Sequence, residues 1–216
     1  MNYIFRAFGI RDAGVLQPSS RRVVADCGDI PITNMFVYRK PIYSTITALG
    51  NLITKGKLNT AMKEMNYDKL FHLYMILRLK TGTLVIIQKN EVIDVSIITP
   101  EKLIADSDYD YREVSLLLRP DLTIKKLLDN TKLAMGDKLY TDYDARDNNC
   151  QVFILMILKS NELLTPELSD FIYQDIKKIF DSAGYSYNPT SFFTGLAARF
   201  NVIYHGRGRA RGFNRL

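Results

Sequence analysis

The chain reads as an α+β protein in which an antiparallel sheet packs on one central helix. Three observations predict this. Phe71–Leu79 and Leu84–Ile87 are two β-branched and apolar runs separated by Lys80-Thr81-Gly82-Thr83, a short glycine-containing loop that signals a hairpin. Val152–Leu158 is apolar on nearly every face, so a helix there has to be buried. Strand-like and helix-like segments also occur in clusters rather than in strict alternation, which argues against a parallel βαβ sheet.

In chain order, residues 1–29 mix aromatics, glycine, serine and arginines without a sustained period, and read as an N-terminal arm with a turn at Cys27-Gly28-Asp29. Met35–Tyr38 is the first strand, stopped by Arg39-Lys40-Pro41. Ser44 or Thr45 opens a helix through Ile53 that Gly56 ends, and a second short helix covers Thr60–Met65. After the hairpin, Val92–Ile98 and Glu113–Leu118 read as strands. Asp121 caps a helix carrying Ile124, Leu127 and Leu128, and Lys138–Tyr140 is a short strand.

Asn148-Asn149 then starts the central helix, because an Asn side chain accepts from the orphan N–H groups of a first turn. Thr165-Pro166-Glu167 starts another helix, with the stripe Leu168, Phe171, Ile172, Ile176, Ile179, Phe180 and a stop at Gly184. Asn188-Pro189-Thr190 opens a last segment through Phe200. The organisation is an arm (1–29), one α+β domain (30–200) and a basic tail (201–216). A chain of 216 residues can bury a sizeable core without disulfides.

Composition excludes several classes. Two cysteines, Cys27 and Cys150, make no disulfide framework, and no Cys/His cluster suggests a metal; no cofactor motif appears. The first eight residues lack the apolar core of a signal peptide, and no run is long and apolar enough to span a bilayer, so a non-secreted protein of the cytoplasm or a virion is expected. The formal charge of +6 falls to +2 without Arg207, Arg209, Arg211 and Arg215. The glycine-spaced arginines of that tail suit a polyanion such as single-stranded nucleic acid, or a virion component.

Cys150 falls in the first turn of the buried helix, where the helix dipole favours a thiolate. A nucleophilic thiolate needs a base and a group that orients it. His72, in an apolar strand, is the candidate base, since His205 adjoins the tail. A loop centred on Thr81-Gly82 pairs Leu79 with Leu84, which puts Tyr74 opposite Lys89 and His72 opposite Glu91. A one-residue slip offers Asn90 instead, and Gln88 is a third orienter.

A histidine on an early strand (Phe71-His72-Leu73-Tyr74), a polar stretch on the next (Gln88–Ile93) and Asn148-Asn149-Cys150-Gln151 opening a later helix resemble the permuted papain-like group. This is the His-box and Asn-Cys-box arrangement of lecithin:retinol acyltransferase-like and NlpC/P60-like proteins, and similar motifs occur in large DNA viruses. The resemblance spans roughly residues 35 to 180. It implies a permuted papain-like fold and a cysteine hydrolase, protease or amidase rather than lipid acyltransferase, acting on a peptide or acyl substrate. Cys150 would be the nucleophile, His72 the base, and the Cys150 N–H part of an oxyanion site. The acyltransferase-like proteins often carry a second histidine as the third group, and this stretch has none. The other expectation is a non-enzymatic, virion-associated protein that keeps the fold and binds partners through its basic arms.

Overall fold

A computed structural model describes residues 16–42, 55–90, 92–104, 109–117, 119–144 and 147–184. In chain order the elements are α1 (Pro18–Cys27), β1 (Ile32–Pro41), α2 (Lys57–Glu64), β2 (Phe71–Leu79), β3 (Leu84–Lys89), β4 (Ile93–Ile98), α3 (Pro100–Ile104), β5 (Asp110–Val114), α4 (Ile124–Thr141), α5 (Cys150–Ser160), α6 (Pro166–Ile172) and α7 (Ile176–Ser182). The strands form one antiparallel sheet in the order β4-β3-β2-β1-β5. The chain is therefore α+β. The helix segment expected over Ser44–Ile53, the segment from Asn188 and the tail lie outside the described residues.

One face of the sheet, carrying Met35, Val37, Leu73, Met75, Leu77, Val85, Ile87 and Val95, packs with α4 and α5 into the main core. The expectation that α5 is buried holds: Phe153, Ile154, Ile157 and Leu158 are all inaccessible to solvent. Removing each of these side chains from water contributes about 2 kcal/mol, which is why so apolar a helix sits under the sheet. The opposite face carries Tyr38, Tyr74, Ile76, Leu84, Ile86 and Ile98.

Several boundaries differ from the sequence reading, each for a visible reason. Residues 18–27, assigned to the arm, form α1, and Ser20 there is fully buried against β4, accepting from the Val95 N–H at 2.8 Å. That bond satisfies an amide on an edge strand, a common way of blunting an open edge. β1 does not stop at Arg39. The Ile42 N–H bonds the Leu70 carbonyl at 2.7 Å, so the missing N–H of Pro41 falls on the side away from β2, beyond the end of the β5 ladder at Arg39–Asp110. Arg39 itself lies between the Phe71 and Phe171 rings, at 4.6 and 4.4 Å, and pairs with Asp110 at 3.0 Å.

β5 runs over 110–114 rather than 113–118, because beyond Met35 the edge of β1 is taken by Leu122, whose carbonyl accepts from the Ile32 N–H. The cap of α4 is Thr123, not Asp121. Lys138–Tyr140 belongs to α4, after a break at Gly136 (φ 72°), and Tyr140 packs on Phe153 at 6.0 Å. Gly56, in the left-handed region, is the N-cap of α2, and the helix it was expected to end lies outside the described residues. The stripe expected to be one helix after Thr165 is two, α6 and α7, interrupted at Tyr173–Asp175 where Asp175 caps α7.

The hairpin is the correction with most consequence. Gly82 adopts φ 86°, and the Leu79 N–H bonds the Thr83 carbonyl at 2.9 Å around the three-residue loop Lys80-Thr81-Gly82. A left-handed residue closing a three-residue loop moves the register by one position. Arg78 therefore opposes Leu84 and Tyr74 opposes Gln88, not Lys89.

Candidate functional site

The Asn-Cys segment starts its helix as the residue types dictate. Asn149 is the N-cap of α5, its side-chain oxygen accepting from the Gln151 N–H at 2.9 Å and the Val152 N–H at 3.2 Å. Asn148 ties the preceding loop down by donating its amide to the Leu139 and Asp142 carbonyls, both at 2.8 Å. Cys150 follows, 7% exposed, in the core between α5 and the sheet.

The expected low thiol pKa is not found. Burial pushes the Cys150 thiol up to about 11, against the opposing pull of the N–H groups of Leu73, Gln151 and Cys150 itself. The helix start does offer donors to the sulfur, as the dipole argument requires, but desolvating an anion costs more than these donors return.

His72 is also buried, and its neighbours place it on the face of β2 that carries Tyr74. Leu73 belongs to the core under α5, whereas His72 stacks on Tyr74 at 6.2 Å and stands opposite Lys40. Successive side chains of a strand point to opposite faces, so His72 and Leu73 leave β2 on opposite sides, while the sulfur meets the Leu73 N–H at the strand edge. No hydrogen bond joins Cys150 to His72 among the described residues. Burial, with Lys40 nearby, pushes the imidazole pKa down despite the Gln88 hydrogen bond, because taking the charged ring out of water is costly.

Of the three candidate orienters, Gln88 reaches the histidine. His72 Nε2 and Gln88 Oε1 are 3.0 Å apart. Gln88 Nε2 donates onward to Asp94 Oδ2 at 3.1 Å, so the Nε2–H tautomer of His72 gives a consistent donor direction along the chain. Asp94 also accepts from the hydroxyls of Ser20 (3.2 Å) and Ser96 (2.7 Å). The imidazole is thus tied through two strands to α1. Asn90 is buried beside Lys89, and its Nδ2 atom makes no hydrogen bond. Glu91 lies outside the described residues, as do Arg207, Arg209, Arg211 and Arg215.

Sequence reasoning missed three residues here. Lys89 is fully buried on the α5 side, donating to the Leu139 carbonyl at 2.9 Å with its ammonium 5.6 Å from the centre of the Phe153 ring. Burial pushes its pKa down to about 8, with Asp142 opposing the shift. Asp94 and Gln174 were also unremarked, and nothing in their local sequence marks them. Beside Gln174 a polar cavity of about 380 Å³ opens between the ends of β1 and β2 and the α6–α7 break. Among the described residues, no group of His, Cys, Asp and Glu is placed to hold a metal, and no helix is long and apolar enough to cross a membrane.

The fold and site define an α+β chain with an Asn-capped, cysteine-bearing helix under a five-stranded antiparallel sheet. No family profile, curated protein or solved structure matches it.

Proposed function

We propose that this chain is a partner-binding domain, in which Cys150 and His72 serve packing and a buried polar network rather than a catalytic dyad. The observation that carries the reading is that the imidazole bonds Gln88 at 3.0 Å and no hydrogen bond joins it to the thiol among the described residues, while burial raises that thiol to about 11. The partner class suggested by the sequence is a polyanion held by Arg207, Arg209, Arg211 and Arg215, in the manner of flexible Arg-Gly segments on single-stranded nucleic acid, in a virion or cytoplasmic setting.

A second reading, a papain-like cysteine hydrolase with Cys150 as nucleophile and His72 as base, keeps one specific support. The sulfur lies against the Leu73 N–H, one residue from His72, among donors that could hold an oxyanion. It requires the imidazole to give up its bond to Gln88 for the sulfur.

Iodoacetamide alkylation of Cys150, followed by mass spectrometry from pH 6 to 11 in wild type and His72→Ala, separates the two. A thiol with a pKa near 11 carries about 300-fold less thiolate at pH 7.5 than one at the free value of about 8.5. The binding reading expects slow alkylation that climbs only at high pH and ignores His72→Ala. Fast alkylation at pH 7 that His72→Ala abolishes would replace it with the hydrolase.

A further inference from the structure

We infer that the leading edge of β2, at Lys69–Phe71, is a docking station for an extended peptide, which the side chain of Gln174 occupies in the isolated chain. The β2–β3 ladder ends at Tyr74–Gln88, so the edge of β2 from residue 69 to 73 carries no strand on the β3 side among the described residues. The opposite edge is paired with β1, through the Ile42 N–H to the Leu70 carbonyl and the register Pro41–Phe71. The alternation of the chain turns toward the open edge the Lys69 carbonyl, the N–H and carbonyl of Phe71, and the Leu73 N–H. The last of these meets the Cys150 sulfur.

Gln174 satisfies the Phe71 N–H and the Lys69 carbonyl with one carboxamide. Its Oε1 accepts from the Phe71 N–H at 3.0 Å, and its Nε2 donates to the Lys69 carbonyl at 2.7 Å. A residue of a parallel strand makes the same pair of contacts, giving its N–H to the carbonyl of residue i−1 and its carbonyl to the N–H of residue i+1, here about Leu70. The side chain therefore stands in for a strand residue. It sits in the irregular link between α6 and α7 and is 7% exposed, and the Gln174 N–H is anchored on Gln151 Oε1 at 2.9 Å.

The surroundings suit a peptide. Lys69, Phe71 and Gln174 line the cavity of about 380 Å³, which gives room for side chains flanking the paired residue. Its acids exceed its bases. Asp110 is spent on Arg39, while Asp68 and Asp170 make no ion pair among the described residues, against the single cation Lys69. The occupant to which this chemistry points is an extended main chain with a basic side chain, added to the sheet as an edge strand. The inference is independent of the tail and of the reactivity of Cys150, so either reading of the thiol can fail without affecting it.

The test is a titration of ¹⁵N-labelled full-length protein with Ac-Lys-Val-Lys-NH₂, following the Phe71 amide resonance. Wild type, Gln174→Ala and Gln174→Glu are compared, the last keeping an acceptor for Phe71 but losing the donor to Lys69. Gln174→Ala is expected to bind at least about ten times more tightly than wild type, since no competing side chain has to leave, and Gln174→Glu, which still holds the Phe71 N–H, should fall between the two. The Phe71 resonance should move, and methylation of the central valine N–H of the peptide should abolish the effect. Equal affinity in all folded proteins, an unmoved Phe71 resonance, or undiminished binding of the N-methylated peptide would overturn the inference. Should neither variant fold, the wild type decides. A Phe71 shift at millimolar peptide that N-methylation removes supports the station, and its absence refutes it.

Discussion

Lys89 gives the sharpest quantitative test of the interior. Its ammonium is fully buried, holds one carbonyl at 2.9 Å, and has its pKa lowered from 10.5 to about 8. Between those two values the unfolded chain binds a proton that the folded chain does not, so stability rises with pH across the window from about 8 to 10.5. Below pH 8 both states are charged and the cost of burying the cation is present in full. A shift of this size corresponds to about 3 kcal/mol. Lys89→Met keeps length and fills the same space without a charge, and the Leu139 carbonyl retains the Asn148 amide. Urea unfolding at pH 7, 8, 9, 10 and 10.5 should show Lys89→Met more stable than wild type at pH 7. The gap should shrink by about 2–3 kcal/mol by pH 10.5, with equal m-values. Cys150 and Tyr38, raised by burial to about 11 and about 12, act in the opposite direction, because the unfolded chain ionises them first and stability falls at high pH. Both groups are common to the two proteins and cancel in the difference. A gap constant to within about 0.5 kcal/mol across the range would refute the buried, destabilised ammonium.

Three further outcomes follow from named contacts. Asn149→Ala should cost about 1–2 kcal/mol in urea unfolding, because it strips two N–H groups of their cap, while Asn149→Asp should keep most of the stability; a loss below about 0.3 kcal/mol would count against the cap. Gly82→Ala should cost about 1 kcal/mol or more, since φ 86° strains any side chain although nothing crowds the site; an unchanged midpoint would contradict the left-handed turn. Deleting residues 206–216 should abolish binding to a single-stranded oligonucleotide. If the four arginines each take one phosphate, the intact chain should lose about 50-fold in affinity from 50 to 200 mM salt. Full retention of binding after the deletion would remove the tail from the proposed function.

How much was legible in the sequence varied with the range of the interactions. The start of α5 was readable because an N-cap is a matter of three adjacent residues, and Asn149 bonds only its own first turn. The burial of α5 was readable because a helix apolar on every face has one favourable environment. The hairpin was readable in position but not in register, since Lys80-Thr81-Gly82-Thr83 can close as either of two loops and the left-handed glycine selects one. The ends of β1 and β5 were misjudged because a strand continues for as long as a neighbour takes its hydrogen bonds, which local composition does not record.

The candidate site divides along the same line. By itself the sequence determined the α+β class, the Asn149 cap, the position of Cys150 in a first turn and the presence of a histidine in an apolar strand. Only the tertiary structure decided that this turn is desolvated, so that the thiol rises instead of falling. It also decided that His72 bonds Gln88, which in turn bonds Asp94, and that Gln174 crosses to the edge of β2. Capping and periodicity act over a few bonds and leave their mark on neighbouring residues. Desolvation, strand register and the facing of a side chain depend on which distant segments arrive, and for Lys69 and Gln174 that means a separation of 105 residues in the chain.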